Sequence, residues 1–264
     1  MTSCGTDTAL SVPCMFSLLD RSSYNHAKGK NMSNVLDIIS HAGVSVLWLD
    51  NNSSSKSVAD RITFKDYRSS DQNSICNPEC RDEGMLVNLQ NYIDEQDNRD
   101  LLIVLHSMGS HGPAYYKRYP KGFEVFLPAC QTNQLNECTD EEISNAYDNT
   151  ILYTDYFLSK VITLLKNNSQ DSDTAMFYIS DHGESLGEGG LYLHGMPYFM
   201  APEEQIKIPA FMWFDEGLKK VFDIEAIKKN SELEKSHDNL FHTLLGLMDV
   251  ETELYQKDMD IATK

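Results

Sequence analysis

Long apolar runs are absent from this 264-residue chain. None approaches the roughly 20 residues needed to span a bilayer. The N-terminus also lacks a basic segment followed by an apolar one, the mark of a secretory leader. The sequence as it stands therefore reads as soluble. Cations are scarce: 22 Lys and Arg stand against 40 Asp and Glu, a formal net charge of −18. Such a surface repels nucleic acid and anionic membrane, which argues against nucleic acid as a partner. An anionic substrate would have to be met by a metal and a few local bases. Repeats and low-complexity tracts are missing, and no second close Cys-x-x-Cys accompanies Cys76 and Cys80, which argues against a structural zinc site.

The six cysteines fall into three local pairs, Cys4/Cys14, Cys76/Cys80 and Cys130/Cys138. Pairing by proximity suggests short-loop disulfides and an oxidising compartment, although six cysteines permit many connectivities. With 41% hydrophobic residues the chain can bury a sizeable core as one domain.

Strand and helix patterns alternate. Ser33 is placed to cap a helix through Val35–Ile39 that ends at Gly43, and Val44–Leu49 follows as a strand. A second helix is expected over 83–95. Leu101–Leu105 is a continuous apolar run, the pattern of a strand buried on both faces. Thr139-Asp140-Glu141-Glu142 is a capping-box start for a long helix to about Leu165. Strands follow at Ala175–Ile179 and Ile208–Phe214, then a last helix capped by Ser236 and carrying Leu240 to Met248. This alternation predicts an α/β fold, a mostly parallel central sheet flanked by helices on both faces.

In such sheets chemistry gathers at the carboxyl ends of the strands. Asp50-Asn51-Asn52, His106 to His111, and Asp181-His182 each follow an apolar strand directly. Asp181 and His182 are hard and borderline donors suited to a divalent metal such as zinc, and His194 supplies another imidazole twelve residues on. The hydroxyl-rich segment Thr2 to Cys14 offers a nucleophile that a metal could activate, and a helix start there would present backbone N–H groups to a phosphate. The residues alone do not choose between Thr6 and Thr8. His26, His41, His237 and His242 lie outside these loops and read as surface or helix-packing residues, Lys219-Lys220 and Lys228-Lys229 as solvated charge. The Tyr- and Met-rich stretch 192–200 reads as core packing or the lining of a lipid groove.

Ser3-Cys4-Gly5-Thr6-x-Thr8-Ala9-x-Ser11-Val12-Pro13-Cys14-Met15-Phe16-Ser17 resembles the nucleophile segment of bacterial phosphoethanolamine transferases. These belong to the alkaline phosphatase and sulfatase superfamily and include the mobile colistin-resistance enzymes. His106-x-Met108-Gly109-x-His111-Gly112-Pro113-Ala114-Tyr115 and Ser180-Asp181-His182-Gly183-Glu184-Ser185-Leu186-Gly187-Glu188 are similar to two further segments of the family, in the same order. The resemblance runs over nearly the whole chain. It implies that Thr8 is the nucleophile and, with Asp181 and His182, a ligand of Zn2+. It places His111 and His194 beside the phosphoryl group, as holders of a second zinc or of the phosphate, and Asn52 and Lys56 at the substrate pocket. Thr6 and His106 fall within the motifs with no defined role. The three cysteine pairs resemble the family's disulfides.

The activity implied is zinc-dependent transfer of phosphoethanolamine from phosphatidylethanolamine to a phosphate of lipid A through a phosphothreonine-type intermediate. Such transfer confers polymyxin and colistin resistance. The expected setting is the periplasmic face of the bacterial inner membrane, with the protein held at the membrane surface by a transmembrane region and acting as a monomer. Family members carry a strand ending in Gly-Glu upstream of the threonine motif, and that Glu completes the zinc site. This sequence starts at Met1-Thr2-Ser3-Cys4, so the expectation for 1–264 is a single catalytic domain without that strand and without the transmembrane helices. Two alternatives accompany this reading: a catalytically impaired fragment of such an enzyme, or a related phosphatase or phosphodiesterase in which water replaces the acceptor. A sulfatase activity fits less well, because Ser11-Val12-Pro13-Cys14-Met15 lacks the arginine of the modified sulfatase nucleophile motif.

Overall fold

The computed structural model describes residues 1–96 and 100–262. Helix α1 (Thr8–Met15) opens on Asp7, whose Oδ1 accepts the Leu10 N–H at 2.9 Å and satisfies one of the donors a helix start leaves free. The short α2 (His26–Lys30) opens likewise on Asn25. α3 (Val35–His41) carries a reciprocal capping box between Asn34 and Asp37, so the cap lies one residue beyond the expected Ser33. Gly43, at φ +102°, then turns the chain into β1 (Ser45–Asp50).

β2 (Thr63–Asp66) and β3 (Leu101–His106) lie parallel to β1 on its two sides, in the order β2-β1-β3. The helix expected over 83–95 is broken in two. A tight helical turn at Asp82–Leu86 precedes α4 (Leu89–Asp94), and Asn88 between them sits in the left-handed region at φ 63°. Asn tolerates that conformation better than most residues because its short polar side chain bonds locally.

Thr139 and Glu142 form the expected capping box of α5 (Asp140–Asn168), which buries Ile143, Ala146, Tyr153, Phe157 and Val161 along one stripe. β4 (Ala175–Ile179) leads into a small hairpin of β5 (Ser185–Leu186) and β6 (Tyr192–Leu193). After α6 (Glu203–Ile206), β7 (Ala210–Phe214) pairs with β4. That pair is antiparallel, so parallel pairing holds for β1, β2 and β3 and not for the far side of the fold. α7 (Ile224–Ser231) and α8 (Leu240–Leu247) close the chain, and Ser236 caps the turn that feeds α8. Among the described residues no helix is long and apolar enough to cross a membrane.

Side-chain alternation along the strands sorts the core into two layers. Val46 and Trp48 of β1 pack with α1, α3 and α8, while Leu47 and Leu49 face α4 and α5. Leu102 and Val104 of β3, and Phe177 and Ile179 of β4, join the first layer. Ile103, Leu105 and Met176 join the second. β3 and β4 thus lie in one plane between the same layers, yet no ladder joins them among the described residues. Every residue of both strands is only half-buried, although both are almost wholly apolar.

Candidate active site and metal centre

The carboxyl ends of β1, β3 and β4 and the N-terminus of α1 meet at one edge of the fold. Thr8 is the first residue of α1 and is buried, with its Oγ1 3.3 Å from His182 Nε2. Thr6 points elsewhere: its hydroxyl donates to the Met196 carbonyl at 2.6 Å. Ser11, one turn along, donates to the Asp181 carbonyl and lies 3.3 Å from His237 Nδ1. Three hydroxyls on one short segment therefore hold the Asp181–His182 loop and the loop at Met196, and Ser11 also meets His237. Of the two threonines, Thr8 is the one whose hydroxyl faces the imidazoles.

Three histidines converge here. Ring centroids of His182 and His194 are 4.3 Å apart, those of His111 and His194 5.0 Å, and those of His111 and His182 6.4 Å. Each commits the same ring nitrogen. Nδ1–H of His182 donates to the Gly183 carbonyl at 2.9 Å, that of His111 to the Gly112 carbonyl at 2.7 Å, and that of His194 to Glu184 Oε2 at 2.8 Å. A ring that donates from Nδ1 keeps its lone pair on Nε2 when neutral. Nε2 is thus the free coordinating atom on all three, in the arrangement by which carbonyls and carboxylates orient metal-binding imidazoles.

Glu184 is the residue whose role the sequence reading missed. Its side chain is 5% exposed, and besides His194 it accepts the Tyr115 hydroxyl at 2.8 Å. His182, Glu184 and His194 bring one ligand atom each to within 4.8 Å of one another. The Glu184 hydrogen bond raises the pKa of His194, whereas burial lowers that of His111. Asp181 Oδ1 accepts the His182 N–H at 3.0 Å, and its buried Oδ2, 3.6 Å from His182 Nε2, has no hydrogen-bond partner among the described residues. Burial pushes the Asp181 carboxyl up, but His182 and the Thr8 hydroxyl outweigh it and hold the group below its ordinary value. An unpartnered buried carboxylate oxygen beside a free imidazole nitrogen and a hydroxyl is a donor set that suits a divalent cation such as zinc.

Two glycines make the site possible. A Cβ on Gly183 would overlap the Glu204 carbonyl, and one on Gly112 would come within 2.6 Å of Glu184 Oε1. His106 sits beneath the cluster. Its Nδ1–H donates to the fully buried Asp50 at 2.8 Å, and its buried Nε2 has no hydrogen-bond partner among the described residues. His237 departs from the surface or packing role expected of it. It is 1% exposed, accepts the Cys4 N–H at Nδ1 (3.0 Å) and donates from Nε2 to the Ser180 carbonyl (2.9 Å), tying the α1 segment to the end of β4.

Asn52 is buried and donates from Nδ2 to the Ser107 carbonyl at 3.0 Å, bracing the loop after β3. Lys56 lies apart from the imidazoles. Its Nζ folds back onto the Ser53 carbonyl at 2.7 Å, and it borders a separate hollow with Pro13, Ser17 and Asn34. Disulfides join Cys4 to Cys14, Cys76 to Cys80 and Cys130 to Cys138, the pairing expected from proximity.

An α/β sheet with a buried helix-start threonine among metal-competent side chains offers a donor set that could serve a metal-assisted hydrolase or transferase. The sulfatase family model matches residues 1–250, and the chain belongs to that family. It is 48% identical over 257 residues to the phosphatidylethanolamine transferase Mcr-2 of Escherichia coli, covering 95% of this chain and 46% of the relative. The phosphoethanolamine transferase EptA of E. coli K12 is 45% identical, with 98% of this chain and 48% of the relative covered. The chain thus spans about half the length of the curated relatives it matches. In three dimensions it superposes on the soluble domain of lipooligosaccharide phosphoethanolamine transferase A from Neisseria meningitidis with a TM-score of 0.94. Their identity is 44%, over 99% of this chain and 79% of that one. The fold is that of the alkaline phosphatase and sulfatase superfamily, and by family the chain is an enzyme.

Proposed function

We propose that this chain is the catalytic domain of a phosphoethanolamine transferase that takes its group from phosphatidylethanolamine and delivers it to a phosphate of lipid A, with polymyxin resistance as the consequence. The observation that carries this is the Thr8 hydroxyl, buried at a helix start and 3.3 Å from the free Nε2 of His182. Thr8, Asp181 and His182 would hold zinc, which when bound lowers the pKa of the threonine hydroxyl. Thr8 Oγ1 attacks the donor phosphorus. The Oγ1–P bond forms, the P–O bond to diacylglycerol breaks, and the threonine proton leaves with that alcohol. The N–H groups at the start of α1 face the phosphoryl oxygens. Nε2–H of protonated His194 supplies a further hydrogen bond to those oxygens as charge builds on them, while the lone pair on Nε2 of His111 would be available to a second zinc. Glu184 keeps His194 charged for that task, and Asn52 braces the loop after β3 that carries His111. In the second half-reaction a lipid A phosphate oxygen takes the phosphorus from Thr8. The setting proposed is the periplasmic face of the inner membrane, as for membrane-held relatives.

The test is mass spectrometry of the full-length protein incubated with phosphatidylethanolamine. A phosphoethanolamine adduct on Thr8, absent in Thr8→Ala, is expected. An adduct that persists in Thr8→Ala would sink the assignment, and free phosphoethanolamine without acceptor modification would favour a phosphodiesterase.

The unpaired edges of β3 and β4 favour a second statement about this chain taken alone. A further strand between them would cover both edges and bring its carboxyl end to the partnerless atoms His106 Nε2 and Asp181 Oδ2. An acidic residue there would complete the metal site, and residues 1–264 by themselves would then bind zinc weakly. Zinc stoichiometry measured on this chain, and on one extended upstream, decides it. Equal, tight binding by both would refute this reading.

A further inference from the structure

Beyond the imidazole cluster, the same sheet edge holds a second concavity of about 100 Å³, lined by residues that follow β2, β1 and β3 (Arg68, Asn52 and Met108) and by Glu79, Arg81, Lys117 and Arg118. Its charge runs against the rest of the molecule. Arg68 is paired with Asp66. Half-buried Glu79 lies 3.5 Å from Lys117 Nζ and 3.7 Å from Arg118 Nη1. Arg81 has no carboxylate partner among the described residues; its Nη1 donates to the Lys117 carbonyl at 2.6 Å.

Asp82, also in the lining, offsets part of that charge and favours the charged form of Arg118. Its two oxygens are taken by Asn51 Nδ2, Met108 N–H and Gly109 N–H, and it is buried. Arg81, Lys117 and Arg118 against Glu79 and Asp82 leave an excess of one positive charge in a chain of net −18. Arg118 is costly to place there, since its side chain is only 14% exposed and burial lowers its pKa. The hollow is joined to the reaction site, because Arg118 Nε donates to the His111 carbonyl at 2.7 Å and Asn52 braces the loop that carries His111.

We propose that this concavity is an oxyanion subsite that takes a phosphate group other than the one reacting at Thr8, held by Arg81, Lys117 and Arg118. A guanidinium fork and an ammonium converging on one small hollow are the donors that phosphate oxygens match. The proposal rests on the transferase reading above, in which the acceptor is itself phosphorylated. That phosphate is then either a second phosphate of the acceptor or free inorganic phosphate.

The test titrates inorganic phosphate into the full-length protein by calorimetry and measures transfer to acceptors bearing one or two phosphates. Four forms are compared: wild type, Arg81→Gln/Lys117→Gln, Lys117→Gln alone, and Lys219→Gln/Lys228→Gln, which removes two cations on the far surface. Lys117 is half-exposed, so its single variant guards against a folding defect in the double one. In Arg81→Gln/Lys117→Gln one class of phosphate site weakens by about tenfold or more, the size expected when charge-assisted hydrogen bonds are lost. Lys117→Gln falls between, and the far-surface variant matches wild type. A rise in KM confined to the doubly phosphorylated acceptor identifies the acceptor as the source. Weakened phosphate binding with unchanged KM identifies free phosphate. Wild-type affinity in Arg81→Gln/Lys117→Gln, or an equal loss in Lys219→Gln/Lys228→Gln, overturns the subsite. Failure of the transferase reading would show separately, as no adduct on wild-type Thr8.

Discussion

Glu184 and His194 form a buried carboxylate–imidazole pair, Oε2 to Nδ1 at 2.8 Å, and the second carboxylate oxygen is held by Tyr115. The pair fixes which nitrogen of His194 reaches the site and keeps the ring protonated to higher pH than a free histidine. Glu184→Gln is expected to leave the fold intact and to lower transfer or metal affinity by roughly 10- to 100-fold, the range typical for such outer partners. Activity should also fall off at lower pH than in the wild type, because His194 loses its proton sooner. A pH–rate profile of Glu184→Gln with an unshifted alkaline limb would contradict this role.

His237 predicts how stability responds to acid. Burial drives its pKa down to about 4 from an ordinary 6.5, with its hydrogen bond to the Ser180 carbonyl opposing. The unfolded chain therefore binds more protons on this group than the native one between those values, so stability falls as pH drops from about 6.5 to about 4. The loss attributable to His237 amounts to roughly 3 kcal/mol at the acid end. Thermal melts of wild type and His237→Gln across that window should differ in slope, the variant being less stable at neutral pH but flatter toward acid.

Gly183→Ala tests the close approach of two loops. The added methyl meets the Glu204 carbonyl, and the backbone has to move away from it. A destabilisation of about 1–3 kcal/mol is expected from such overpacking, with His182 displaced as well. Chemical denaturation gives the first quantity, and the metal affinity of the folded variant gives the second.

Asp7→Ala removes the cap of α1 at a half-buried position directly before Thr8. The cost should be about 1 kcal/mol, the usual worth of an N-cap, and Asp7→Asn or Asp7→Ser should recover most of it. Denaturant midpoints of the three variants check this. If Asp7→Asn were as unstable as Asp7→Ala, the cap would not be the reason for the aspartate.

Much of this was legible in the residues, for identifiable reasons. β1, β3 and β4 announce themselves as short apolar runs because both faces of each touch a core layer. α5 announces itself through Thr139, Glu142 and a regular buried stripe. The two-residue strands β5 and β6 carry no period long enough to read. The break at Asn88 was hidden because the apolar pattern continues on both sides of it. The direction of β7 relative to β4 depends on where the intervening chain crosses, which no local pattern records. At the site, Asp181, His182 and His194 stood out by residue type, whereas Thr6 and Thr8 differ only in which way one turn of backbone aims them. His237 and Glu184 escaped notice because their roles lie in hydrogen bonds to groups far away along the chain. Lys56 shows the converse, a residue with a suitable charge whose side chain turns back to its own loop.

The hydroxyls of Thr6, Thr8 and Ser11 reach two loops, at Asp181–His182 and at Met196, that lie more than a hundred residues away in the chain. The opening segment is therefore a keystone that can be inherited or exchanged only together with its two abutments. Chimeras between relatives that swap residues 3–15 alone should express poorly, while swaps that carry 180–198 along with them should recover. Drift in either stretch is constrained by the other, which makes the pair a single unit of variation.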